Sequence, residues 1–243
     1  MLKSFRLILD PPRHAALNMA IDEVLMKSQN FPDTPPVLRF YSWLGPAYSV
    51  GYFQNVAEIV KRYSCEKKNI SVVRRITGGG IVIHGQDLTF SLAVKSSSPF
   101  FSGAAKDSYL RVNEALRVGL KPLHPKIDYA DCKSIPSGRG GGNRVCFETP
   151  SCYDLLLDGK KIVGASQRRK NGVILHQSSV FLEGDRRNLI LKILEGFKET
   201  WKIIFLEKSL SDEELMSAKV KANERCRAKE WAYFGDLERS FFS

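Results

Sequence analysis

A chain of 243 residues, 43% hydrophobic and 26% charged, has the composition of an ordinary soluble globular protein and is long enough to bury a core without staples. No apolar run reaches the length of a membrane span, and five cysteines at irregular spacings, with no CxxC pair, argue against a structural zinc site or a disulfide framework. The net charge of +11 favours acidic partners; with no zinc finger, no RNA-binding aromatic signature and no clean basic helix, nucleic acid is not expected among them.

The N-terminal stretch reads as a first strand, ended by Asp10, Pro11 and Pro12. It lacks the long apolar core and cleavage site of a signal peptide, so the cytoplasm is the expected address. Residues 14–28 carry Leu17, Ile21, Val24 and Leu25 at helical spacing, and Pro32, Pro35 and Pro36 then break the chain. Residues 37–43 and 47–53 read as strands, and Asn55 is placed to cap a short helix toward Lys67. Residues 72–76 and 81–94 form a strand–loop–strand unit across Thr77-Gly78-Gly79-Gly80. A helix is expected over 104–120, and 132–145, with one proline and four glycines, is the most loop-like stretch. Asp158-Gly159 marks a tight hairpin within 153–166. Residues 172–182 read as a strand, and 185–198 and 211–240 as helices. Strands and helices alternate without a regular βαβ rhythm. This predicts an α+β fold with a mixed, largely antiparallel sheet and flanking helices, in a single domain over 1–243 with its core at about 14–200 and a helical C-terminal tail.

Three segments carry candidate chemistry. Gly78, Gly79 and Gly80 let backbone approach a ligand and free N–H groups to bind it, while Arg74 and Arg75 beside them can hold an anion. A hairpin connection with solvated arginines explains the same residues, and no Walker-type GKS or GKT follows. Cys146 sits between the glycine-rich loop and a strand, with Arg139, Arg144 and Lys161 as sources of positive charge. Exposure and nearby cations are what a thiolate nucleophile needs. A buried structural cysteine is the competing reading, and it weighs more for Cys152. Lys161 follows the Asp158-Gly159 turn and precedes Gly164-Ala165; a lysine so placed can enter a pocket and hold a carbonyl oxygen. The competing reading is a solvated turn lysine, which suits Lys160.

The segments Asn18-Met19-Ala20-Ile21-Asp22-Glu23, Leu38-Arg39-Phe40-Tyr41-Ser42-Trp43, Ser49-Val50-Gly51-Tyr52-Phe53-Gln54, Arg74-Arg75-Ile76-Thr77-Gly78-Gly79 with Val82 and His84, and Cys146-Phe147 through Pro150-Ser151 with Tyr153-Asp154, Lys160-Lys161-Ile162-Val163-Gly164 and Gln167 occur in order over residues 14–182. Together they resemble the lipoate- and octanoate-transferring proteins related to biotin ligases, and among these the cysteine-dependent octanoyltransferases of LipM type. The resemblance implies a fold like the catalytic domain of biotin ligases and class II tRNA synthetases. It places the nucleophile on Cys146, the pocket lysine on Lys161, and the acyl pocket on Arg74, Arg75, Thr77, Gly78, Gly79, Gly80 and His84 with Gly164 and Ala165.

It further implies octanoyl transfer from acyl carrier protein, through a cysteine thioester, to a lysine of a lipoyl domain of a 2-oxoacid dehydrogenase or of the glycine-cleavage H protein. No metal, cofactor or membrane is implied. The alternatives are an ATP-dependent lipoate-protein ligase, using ATP and magnesium, a lipoyl-domain amidotransferase, and a non-catalytic acyl- or carrier-binding protein. Leu175-His176-Gln177-Ser178-Ser179 departs from the family's usual His-Gly-Ser ending, so His176 is given no catalytic role, and Gly85 stands where an acidic residue is common.

Overall fold

The computed structural model describes residues 3–131, 150–228 and 231–234. In chain order, β1 (Lys3–Leu9) leads into α1 (Ala15–Ser28), β2 (Val37–Tyr41), β3 (Ala47–Val50) and α2 (Val56–Arg62). Then come β4 (Ser71–Arg74), β5 (Val82–His84), β6 (Leu88–Lys95), α3 (Ala105–Leu120) and the short β7 (Asp128–Tyr129). The rest comprises β8 (Leu155–Leu157), β9 (Lys160–Lys161), β10 (Val163–Lys170), β11 (Val173–Val180), α4 (Arg186–Trp201), β12 (Ile203–Glu207), α5 (Asp212–Arg227) and β13 (Ala232–Tyr233).

The main sheet runs β10-β11-β6-β2-β1-β12, antiparallel from β10 to β2 and parallel from β2 through β1 to β12. The expected mixed, largely antiparallel α+β architecture is therefore what forms. Alternation along the strands separates two cores. Phe5, Leu7, Leu38 and Phe40 pack with Val112 and Leu116 of α3 and Ile193 and Phe197 of α4. Ile8, Val37 and Tyr41 pack with Leu17, Ile21 and Leu25 of α1 and Ala218 and Ala222 of α5. A smaller sheet, β13-β4-β3-β5, is covered by α2, and β7-β8-β9 forms a third.

Local chemistry explains most boundaries. Asn55 caps α2 by accepting from the backbone N–H of Ala57 and Glu58. Ser211 and Glu214 form a reciprocal capping box at α5. Asp158 and Gly159 both take positive φ, 49° and 78°, as a two-residue hairpin of the primed type requires.

The structure corrects the sequence reading at four places. The strands on either side of Thr77–Gly80 do not pair with each other; β3 lies between β4 and β5, so the glycine segment crosses the top of the small sheet. The expected strand 81–94 breaks at Gly85, whose φ is 138°, so that β5 and β6 enter different sheets. The C-terminal helix ends at Arg227, and the chain returns as β13 to pair with β4. β12, unanticipated, begins where Lys202 adopts the left-handed conformation and ends α4. At Cys152 there is a further difference. It is exposed and disulfide-bonded, and spacing alone does not reveal such a pairing. Among the described residues, no helix is long and apolar enough to cross a membrane.

Candidate functional site

A narrow pocket, about 350 Å³ counted out to its open mouth, lies where the α1 face of the main sheet meets the small sheet. Met19 of α1, Tyr41 of β2, Trp43 and Val82 give it apolar walls. Its floor is the β10–β11 ladder, where Gly164 pairs with Ser179 and Ser166 with Gln177. Ser49, Arg75, His84 and Thr89 supply polar positions.

Of the residues expected from sequence, Arg75, His84, Gly164 and Ala165 meet in this pocket. Arg75 is buried rather than solvated. It donates through Nη1 to the Ser49 carbonyl at 2.9 Å and through Nη2 to the Gly78 and Gly80 carbonyls, both at 2.7 Å. Its guanidinium thus braces the glycine segment from inside. Arg74 turns away, donating to the Tyr52 carbonyl and lying over the Trp231 ring. Thr77 is a wall post: its hydroxyl donates to Gln177 Oε1 at 2.7 Å and accepts from Ser166 Oγ at 2.8 Å. The glycine segment also presses on Gly51, where a Cβ would stand 2.0 Å from the Gly79 carbonyl oxygen.

His84 is held on three sides. Trp43 stacks on its ring at 3.8 Å, Asp87 Oδ2 lies 2.9 Å from Nδ1, and Ser49 Oγ lies 2.8 Å from Nε2. Burial lowers its pKa, only partly offset by Asp87, so the ring is neutral at pH 7. Burial by itself raises the Asp87 carboxyl, but His84 and the hydroxyls of Thr89 and Ser179 outweigh it and bring its pKa down to about 2. A carboxylate only accepts, so Nδ1 carries the proton and Nε2 accepts from the Ser49 hydroxyl. Ser49 Oγ in turn accepts from Arg75 at 3.2 Å, so its proton and one lone pair are committed and this chain forms part of the pocket wall.

Lys161 stands three residues before Gly164, on the β8–β9 hairpin, with 9% of its side chain exposed. Its Nζ lies 2.6 Å from Asp154 Oδ2, and the same carboxylate oxygen accepts from the Ser151 N–H. It is therefore an anchored, nearly buried cation and not a solvated turn lysine. Sequence reasoning quoted Asp154 only as part of a motif. The signal for its role is the hairpin itself, which folds residue 154 back beside residue 161. Cys146 lies outside the described residues.

His176 is fully buried between Phe90, Phe101 and Tyr109, and bonded to Gln167 and Ser178. Burial, with a smaller effect from Arg169, drops its pKa to about 3. It is a neutral core histidine. Its neighbour Gln177 faces the pocket and joins Thr77 to Asp22 Oδ2 at 2.7 Å.

The pocket thus joins a sheet floor to polar walls tied to a glycine segment that Arg75 braces, and the ion-paired Lys161 stands three residues from Gly164 on that floor. A crystal structure of lipoate-protein ligase A bound with ATP superimposes with a TM-score of 0.74 at 25% identity, over 95% of this chain and 98% of that one. A putative lipoate protein ligase from T. acidophilum with bound lipoic acid gives 0.72 at 25% identity, with the same coverage. The family model for the lipoyl protein ligase A/B catalytic domain matches residues 14–207, and the chain belongs to that family. Among curated relatives, octanoyltransferase LipM of Moorella thermoacetica is 35% identical over 84% of this chain and 76% of its own length. LipM of Bacillus subtilis is 34% identical over 88% and 79%.

Proposed function

We propose that this chain is an octanoyltransferase of protein lipoylation that works through a thioester on Cys146, without ATP. The class of enzyme, acyltransferase, and the octanoyl group rest on the LipM relatives. The observation that carries the mechanism is Lys161, an ion-paired, nearly buried ammonium on β9, three residues before Gly164 of the pocket floor.

In the first half-reaction the Cys146 thiolate adds to the carbonyl carbon of octanoyl-acyl carrier protein. The oxyanion of the tetrahedral intermediate accepts from Lys161. The carrier's sulfur leaves and takes up a proton, and the octanoyl chain stays in the slot of Met19, Tyr41, Trp43 and Val82. In the second half-reaction the neutral ε-amine of a lysine, on a lipoyl domain or the glycine-cleavage H protein, adds to the enzyme thioester. The amine loses its proton, the Cys146 thiolate leaves, and an amide remains. Thioester to amide is downhill, so no nucleotide is consumed.

The test is intact mass after incubation with octanoyl-acyl carrier protein under reducing conditions and without ATP, for the wild type, Cys146→Ala and Cys152→Ala. A hydroxylamine-labile octanoyl adduct lost only in Cys146→Ala is the expected result. No wild-type adduct, together with pyrophosphate release from ATP and free lipoate, would assign the chain to ligase chemistry instead.

A further inference from the structure

A second recess, about 810 Å³ counted out into open solvent, lies further along the same sheet from the acyl pocket. The register makes the two neighbours: Ser166 and Gln177 floor the first, while Arg168, opposite Leu175, and Lys170, opposite Val173, line the second. α1 roofs both, with Met19 over the acyl pocket and Met26 and Lys27 over the recess. The hydrogen bonds joining Thr77 to Ser166 and Gln177 stand between them.

Charge in the recess is unbalanced. Among the described residues, its acidic side chain is Glu23, already shared by Lys27, Lys221 and Arg225. Arg168 and Lys170 have no acidic partner among the described residues, and the Arg168 guanidinium lies over the Tyr52 ring at 5.0 Å. At the rim, Phe53 packs edge-on against Tyr52 and is 88% exposed, the most exposed large hydrophobic residue described. Uncompensated cations around an exposed aromatic anchor form a surface complementary to an acidic protein.

We infer that the Phe53–Arg168–Lys170 face docks the acidic protein domain that brings the octanoyl group as a thioester. This rests on the transferase reading above. The donor is favoured over the acceptor by reach. β10 runs from Val163 to Lys170, which sets Arg168 roughly 17 Å along the strand from Val163, the strand end next to the Lys161 hairpin. An acceptor lysine has only a four-carbon stem to offer, whereas a thioester on a long flexible prosthetic arm spans that distance.

The experiment compares the wild type with Arg168→Glu/Lys170→Glu and, separately, Phe53→Asp, each checked for an unchanged melting temperature. The dissociation constant for octanoyl-acyl carrier protein and the KM of that donor are expected to rise about tenfold at low ionic strength. Turnover of the uncharged small donor octanoyl-N-acetylcysteamine, and the KM of the lipoyl-domain acceptor, should stay within about twofold. Unchanged carrier affinity in both variants overturns the inference. A raised acceptor KM with an unaltered donor KM assigns the face to the acceptor and overturns it equally. If the wild type binds the carrier through Arg168 and Lys170 yet transfers octanoyl from neither donor, the docking face stands and the transferase reading fails.

Discussion

Lys161 does its proposed work only if it stays charged and aimed, and Asp154 is the residue that aims it, at 2.6 Å. Lys161→Ala is expected to lower kcat on the order of 10²-fold, as loss of an oxyanion donor does. Asp154→Asn leaves the ammonium in place but releases its anchor. A smaller fall in kcat, about tenfold, with little change in KM is expected from steady-state kinetics. Equal losses in the two variants would mean that Asp154 acts on the reacting atoms directly. Histidine has a separate effect at this scale. His176 has its folded pKa near 3, below the ordinary value of 6.5. The unfolded chain therefore takes up the proton first as pH falls. The stability present above pH 6.5 is lost toward pH 3, at up to about 1.4 kcal/mol per unit. His84 and His14 shift in the same direction, and Asp87 adds its own loss only between its ordinary 3.8 and about 2. Urea midpoints for His176→Gln should thus fall less steeply between pH 6 and pH 4.5 than those of the wild type, although the variant starts lower at pH 7. An identical slope would remove His176 from the acid response.

Elements position these residues through a few close backbone contacts. Gly51 and Gly79 touch so tightly that a Cβ at 51 would lie 2.0 Å from a carbonyl oxygen, whereas one at Gly78 meets nothing within 4 Å. Gly51→Ala is expected to cost about 1–3 kcal/mol as an overpacking change and to displace the glycine segment, raising KM for the acyl donor. Gly78→Ala should leave the melting temperature nearly unchanged. The contrast is one that sequence could not supply, because both glycines sit in motifs of the same appearance. What was legible there was local. Asn55 as a cap and Asp158-Gly159 as a turn need only their neighbours. So did the helices of residues 15–28 and 105–120, whose apolar spacing is complete within the segment. What was illegible was non-local. Nothing near Thr77 says that β3 will separate β4 from β5, or that Arg75 will spend its donors on the loop's own carbonyls. Likewise α5 and β13 form one apparent helical tail until β4 offers β13 an edge. The family resemblance named Arg75, His84, Gly164 and Ala165 from motifs far apart in the chain, and the fold gathers those four around one pocket. The resemblance could not show that Gln177, in the one segment that departs from the family's pattern, joins the pocket wall to the core.

At the scale of the whole molecule, one polar seam ties the two halves of the site to the fold. It begins at Asp10 after β1 and passes to Arg39 on β2, which is 0% exposed and ion-paired with Asp10 at 2.6 Å and Asp22 at 2.8 Å. Asn18 accepts from the same guanidinium, and Asp22 accepts in addition from Tyr41, Ser91 and Gln177. Gln177 then reaches Thr77, and Thr77 reaches Ser166 on the pocket floor. Replacing Arg39 by Leu fills much of the same space but strands two carboxylates in a water-poor interior. Removing one member of such a buried cluster costs about 3–5 kcal/mol, because the remaining charges keep their desolvation penalty and lose their partner. If that is the origin of the loss, Asp22→Asn should recover part of it in the Arg39→Leu background, since an amide carries no charge to strand. In the wild-type background the same Asp22→Asn change should only destabilise. Denaturation of the two single variants and the double variant measures the coupling directly. Additive losses would show that Arg39 supports the fold through its packing against the Tyr41 ring, 4.0 Å away, rather than through its charge.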